Sequence, residues 1–91
     1  AAYEAFLRGH ALYDLSTGSE SDRAALAQFD AAIAADPDYA AAHAMRSTML
    51  ATIAGAANDV EEARRLYAQA ITAAERAIAI EPDLARGHLA L

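Results

Sequence analysis

His43 and His88 are the residues with the clearest capacity for chemistry, because each closes a copy of the same phrase. "AAIAADPDYAAAH" (31–43) and "RAIAIEPDLARGH" (76–88) agree at seven of thirteen positions, and the Asp36/Glu81 pair keeps its charge. Two histidines could begin a metal site, but such a site needs further ligands, usually His, Asp or Glu. None stands at an obvious spacing. Asp36, Asp38, Glu81 and Asp83 flank the two prolines, where acids commonly favour the positive end of a following helix. General acid–base work is the competing reading, and the ionisable residues do not assemble into a catalytic set. The serines of "STGSES" (16–21) lack the strand–turn–helix setting that exposes a nucleophile. They read as a loop, with phosphorylation as the alternative. The chain has no cysteine, hence no thiolate nucleophile, no disulfide framework and no Cys-ligated metal, and the compartment stays open. No Gly-rich phosphate loop is present. The expectation is no catalytic residues, no metal and no cofactor.

The charge balance narrows the partners. The net charge is −6, with thirteen acids against seven cations, and every cation is an arginine: Arg8, Arg23, Arg46, Arg64, Arg65, Arg76 and Arg86. An acidic surface repels phosphate backbones and these arginines are scattered, which argues against nucleic-acid binding. No apolar run reaches the ~18–20 residues that span a bilayer. Alanine, the best helix former, is the most frequent residue. Ala and Arg without Lys hint at a GC-rich bacterial genome. Ninety-one residues allow one modest domain. A start without Met and an end, "ARGHLAL", without a cap suggest a piece of a longer protein.

Five helices are expected to position these residues. The first spans about 2–15, with a Glu4–Arg8 pair at i,i+4. "STGSES" interrupts, with Ser19 or Ser21 as a cap. The second runs about 22–35 and ends before Pro37, because the residue before proline is driven out of the α region. The third runs from after Pro37 to about Ala54, with Gly55 as its stop. Asn58, with Glu61 three residues on, has capping-box spacing. The fourth then continues to Ile80, and the fifth opens near Asp83. Small residues make stripes at helical spacing: Ala2, Ala5, Gly9 and Leu12 on the first helix; Ala25, Phe29 and Ala32 on the second; Ala63, Tyr67, Ala70, Ala74 and Ala77 on the fourth. Such seams let helices pack at the close end of the usual ~8–10 Å separation.

These hairpins resemble tetratricopeptide (TPR) repeats, a 34-residue helix–turn–helix family. Gly9, Leu12, Ala25, Phe29, Ala32 and Pro37 match the family pattern in the first unit, through "FLRGHALY" and "AALAQFDAAIAADPDYA". In the second unit Ser47, Leu50, Ala70, Ala77 and Pro82 fit, but Ala74 stands where the aromatic belongs. The resemblance implies an all-α fold of antiparallel helical hairpins, stacked as a short right-handed solenoid of about five helices. Repeat one would span about 2–37, repeat two about 38–82 and a partial third 83–91. The first unit carries about four extra residues, placed in "STGSES". The two prolines lie 45 residues apart, eleven beyond the family's 34, and eleven residues are about three turns. An elongated second hairpin is therefore expected. The resemblance also implies that His43 and His88 are partly buried and hydrogen-bonded.

In the resembling family the first helix of each hairpin lines a concave groove that holds a peptide. Here that groove would be lined by Tyr3, Phe6, His10 and Tyr13, which step by three, four and three. The third helix would add Ala41, Ala44, Met45, Thr48 and Ala51, and the fifth Arg86, Leu89 and Ala90. The aromatics either pack against another helix or a second copy, or they form a wall for an apolar or helical segment. The family's cationic clamp for acidic chaperone tails would fall on Phe6, His10, Met45, Arg86 and Ala90, where only Arg86 is cationic; such a clamp is not expected. The expected function is a non-enzymatic protein-interaction module. The alternative is a regulatory or dimerisation segment attached to a bacterial signalling or transcription-regulator protein, because "YEAFLRGHALYDL" resembles the opening of such segments. Self-association through terminal helices would cover apolar surface at the solenoid end.

Overall fold

The computed structural model describes residues 1–15 and 18–82, and among these it is all-helical. Helix α1 spans Ala2–Leu15, α2 Ser19–Ala35, α3 Ala40–Gly55 and α4 Val60–Ile80. The fifth helix expected from Asp83 onward lies outside the described residues, as do His88, Arg86, Leu89 and Ala90. Connections of three or four residues force each helix to turn back on its predecessor. Each helix accordingly packs on its chain neighbours, α1 on α2, α2 on α3 and α3 on α4.

The helix ends follow from local chemistry, with three corrections to the expected caps. Gly18 precedes α2 at φ +149°, a backbone state that L side chains rarely adopt, and no side chain caps that helix. The Ser21 hydroxyl instead donates to the Leu12 carbonyl of α1 at 3.1 Å, which ties α1 to α2. Before α4 the cap is Asp59 rather than Asn58, its carboxylate accepting the Glu61 N–H at 3.1 Å. The expected Asn58–Glu61 capping box is not formed: the Glu61 carboxylate lies 3.5 Å from Arg64, while Glu62 pairs with Arg23 of α2 at 3.5 Å.

The repeated phrase builds the α2–α3 turn. The Asp36 N–H still donates to Ala32, while Asp36 itself is extended (φ −143°), as a residue before proline should be. Its carboxylate accepts the Asp38 N–H at 3.2 Å, the Asx turn that Asp favours. The acids beside Pro37 therefore shape the turn, and no acid lies in the first turn of α3. His43 reaches back to the Pro37 carbonyl at 2.8 Å through Nε2. A carbonyl only accepts, so Nε2 carries the proton. The residue that invited a metal reading is a tether across the turn.

The core is small side chains around a few large ones. Ala5, Ala32 and Ala42 form one cluster where α1, α2 and α3 meet; Ala25, Phe29 and Met49 form a second. Phe29 is fully buried against Gly9. A Cβ at Gly9 would stand 2.8 Å from Phe29 Cε1 and 2.9 Å from Cζ, closer than carbon atoms pack. On α4 the buried seam is Ala70, Ala73 and Ala77, and Tyr67 is half exposed rather than in the seam. The spacing 63, 67, 70, 74, 77 averages 3.5 residues, and on a straight 3.6-residue helix such a line drifts sideways. The second hairpin has helices of 16 and 21 residues, against 14 and 17 in the first. Its connection is residues 56–59.

Removing the ring should be costly. A chain of this size carries roughly 5–14 kcal/mol of stability, and Phe29→Ala should remove about 3–5 kcal/mol of it. Gly9→Ala gains about 1 kcal/mol of helix propensity but overpacks by about 1–3 kcal/mol, for a net loss of about 1 kcal/mol. With Phe29→Leu already in place, Gly9→Ala should become neutral or stabilising, because the obstructing ring atoms are gone. Urea unfolding of the four chains measures this coupling, and additive effects would exclude it.

Candidate functional site

The face of α1 expected to meet a partner is a network of rings. Phe6 stacks on Tyr39 at 5.1 Å between centroids with 27° between planes, and lies 5.7 Å from Phe29. His10 meets Phe6 edge-on at 5.4 Å, Phe29 at 6.4 Å and Tyr13 at 6.3 Å. These are the offset and edge-to-face arrangements that aromatic quadrupoles favour. The spacing three, four, three places Tyr3, Phe6, His10 and Tyr13 on one side of α1. The face then divides: Tyr3 is 63 % exposed, while Phe6, His10 and Tyr13 are half-buried.

Helix α3 contributes alongside. Met45 packs with Phe6, Leu12 and Tyr13 on the cluster of Ala25, Phe29 and Met49. Ala41, Ala44 and Ala51 are half-buried and Thr48 is exposed, with its hydroxyl returned to the Ala44 carbonyl at 3.3 Å. The structure thus brings Phe6, Tyr13 and Met45 together, leaves Tyr3 and Thr48 outermost, and does not describe Arg86 or Leu89. Phe6 is half-buried, its ring held by contacts with both Tyr39 and Phe29.

Two residues beyond the α1 stripe, Phe29 and Tyr39, also belong to this face. The helical phase of Phe29 assigns it to the seam, which is where it lies, but its ring is large enough to reach both Phe6 and His10. Tyr39 belongs to the repeated phrase, where the second copy has Leu84. An aromatic two residues after the proline was the available signal.

An open depression of ≈ 330 Å³ lies elsewhere, lined by Arg46 of α3 and Ala68, Gln69 and Thr72 of α4. The Arg46 guanidinium is held there by Asp30 of α2 at 2.8 Å. Among the described residues no three His, Asp or Glu side chains gather as a metal site. No described helix is long and apolar enough to cross a membrane. Comparison with protein-family models, curated proteins and solved structures finds no match to this chain.

The electrostatics of the face show one clear perturbation. Burial, then the Tyr3 hydroxyl, then the Asp36 carboxylate raise the Tyr39 pKa above the ordinary value of 10.0. The neutral phenol is the form the fold accepts. The stability tied to it is complete below pH ~10 and is lost as pH rises through the raised value. Melting temperature should therefore fall, as pH rises above about 10, more steeply in the native chain than in Tyr39→Phe. Phenolate absorbance should show one tyrosine titrating late, and Tyr39→Phe should remove that component. Parallel stability curves for the two chains would refute the assignment.

Proposed function

We propose that the chain is a TPR-type protein-interaction module: hairpins 2–37 and 38–82, with a third opening at 83–91, stacked as a short right-handed solenoid. Its α1–α3 face receives an apolar or helical peptide of a protein partner. The reading assigns no catalysis, cofactor or nucleic acid to this segment. It is supported above all by the ring network, because Phe29 and Tyr39 hold Phe6 and His10 in place before any ligand arrives. A preorganised aromatic surface loses little side-chain entropy on binding, so its contact area converts to affinity efficiently. Tyr3, Tyr13 and Met45 supply adaptable apolar contact beside it. Arg86 and Leu89 would extend the face along the third hairpin.

The placement of Phe6 decides how this is tested. Phe6→Ala would remove a ring that packs on Phe29 and Tyr39, so lost binding could reflect lost folding. Tyr3→Ala is the cleanest change because Tyr3 is exposed; Tyr13 and Met45 also pack on the Phe29 cluster, so Tyr13→Ala and Met45→Ala are read only with an unfolding curve that shows the variant folded. Peptides selected from a displayed library of amphipathic helices against the 91-residue chain should be bound through their apolar side. A hot-spot contact costs about 2 kcal/mol or more on truncation. Tyr13→Ala combined with Met45→Ala should therefore weaken the selected peptides at least about tenfold, with the helical circular dichroism unchanged. Unaltered affinity in the double variant would place the binding surface elsewhere.

A further inference from the structure

The outer side of α4 carries a surface independent of the α1–α3 face. Val60, Tyr67, Ile71 and Ile78 are 72, 46, 61 and 47 % exposed. Their spacing of seven, four and seven residues sets all four within about 20° of one line along the helix. That line is opposite Glu62, which faces α2 through Arg23, so it points away from the preceding hairpin.

The first hairpin shows what such a line is for. Forty-five residues earlier in the repeat, Leu26 and Ile33 of α2 take the places of Ile71 and Ile78. Both are half-buried, in clusters to which α3 contributes Met49 and Ala42. On α2 the apolar line stops there, since the buried Asp22 stands where α4 has Tyr67. On α4 no described residue shields the pair, and the line continues through Tyr67 to Val60, ~27 Å from Ile78 at ~1.5 Å per residue.

We propose that this line, rather than receiving the chain after Pro82 as the α2 line receives α3, is a self-pairing surface, on which two copies of the chain join by α4 packed antiparallel on α4 about a two-fold axis. The spacing is self-complementary. Val60 and Ile78 lie nine residues either side of Gln69, and Tyr67 and Ile71 two either side. An axis at the height of Gln69 therefore sets Val60 against Ile78 of the second copy, and Tyr67 against Ile71. An isologous contact requires this kind of pattern, in which each residue's counterpart is reached by the same rotation. The flanks obey the same symmetry. Arg64 and Glu75 lie on one flank, five and six residues from Gln69, so each Arg64 meets the other copy's Glu75. Ala63 and Ala74 lie on the other flank, six and five residues from Gln69, and permit close approach. The exposed Arg64–Glu61 pair at 3.5 Å within one helix is worth too little to oppose the exchange.

A single helix pair is at the low end of specific interfaces, so the dimer should be concentration-dependent. Sedimentation equilibrium of the 91-residue chain should give a dissociation constant on the order of 1–100 µM. Ile71→Glu, which puts a charge beside the axis in both copies, should leave a folded monomer. Arg64→Glu alone and Glu75→Arg alone should each weaken the dimer about tenfold, because the change is felt twice by symmetry. The double exchange should restore it. A monomer at every concentration would overturn the proposal and assign the stripe to chain following Pro82. A dimer indifferent to Ile71→Glu would also overturn it. Failure of the double exchange to restore the native constant would exclude the antiparallel register.

Discussion

The constraint on which the first hairpin depends is the fit of the Phe29 ring over Gly9, where a Cβ would stand 2.8 Å from Phe29 Cε1. The absence of one Cβ lets α1 come down onto a ring that would otherwise hold it away. Because Phe29 is fully buried, it cannot swing aside. It also meets Met49 of α3 in the second cluster and touches Phe6 and His10 on the outer face. One side chain therefore sets the separation of α1 and α2, fixes where α3 lies against them, and supports the rings offered to a partner. Folding and the candidate site are not separable in the first hairpin.

The second hairpin achieves close approach by other means, since Ala74 replaces the ring. Alanine buries little apolar area, and the α4 seam of Ala70, Ala73 and Ala77 is short of it. Leu50 and Ile53 are the larger buried side chains that α3 adds here, whereas Met49 packs with Ala25 and Phe29 of α2. Ser47 donates its hydroxyl to the Ala70 carbonyl at 2.7 Å, a contact possible only where two helix backbones are near each other. A longer helix compensates for a thinner seam: α4 has 21 residues against the 17 of α2, so more small contacts are made along it.

Much of this architecture was legible because it depends on short-range chemistry. Pro37, Pro82 and Gly55 announce helix ends through backbone sterics alone, and the phases of Ala5, Gly9, Ala25, Phe29 and Ala32 give two seams. What periodicity does not reveal depends on competition or on distance. Asn58 and Asp59 are adjacent residues with the same capping chemistry, and only the path of the chain chooses Asp59. Ser21 had a stronger use than capping, because α1 brought the Leu12 carbonyl within reach. Phe6 shares a helical phase with Tyr3 and Tyr13, and periodicity cannot show that a tyrosine more than thirty residues later will stack on it. His43 illustrates the same limit: its partner is a carbonyl six residues back, visible once the turn exists.

The charges explain why the apolar surfaces remain open. Arg46 is spent on Asp30 between α3 and α2, Arg23 on Glu62 between α2 and α4, and Arg8 on Gln28 between α1 and α2. Arg76 approaches Asp38, at the turn into α3, to 3.9 Å. These pairs are largely solvent-exposed, so each contributes little free energy. Their effect is positional: they bridge elements at the sides of the stack and leave the α1 ring face and the α4 line without a central charge. A protein with a net charge of −6 resists indiscriminate association by mutual repulsion. It can therefore expose two apolar surfaces, on its first and last described helices, provided that each partner brings enough complementary area to overcome that repulsion.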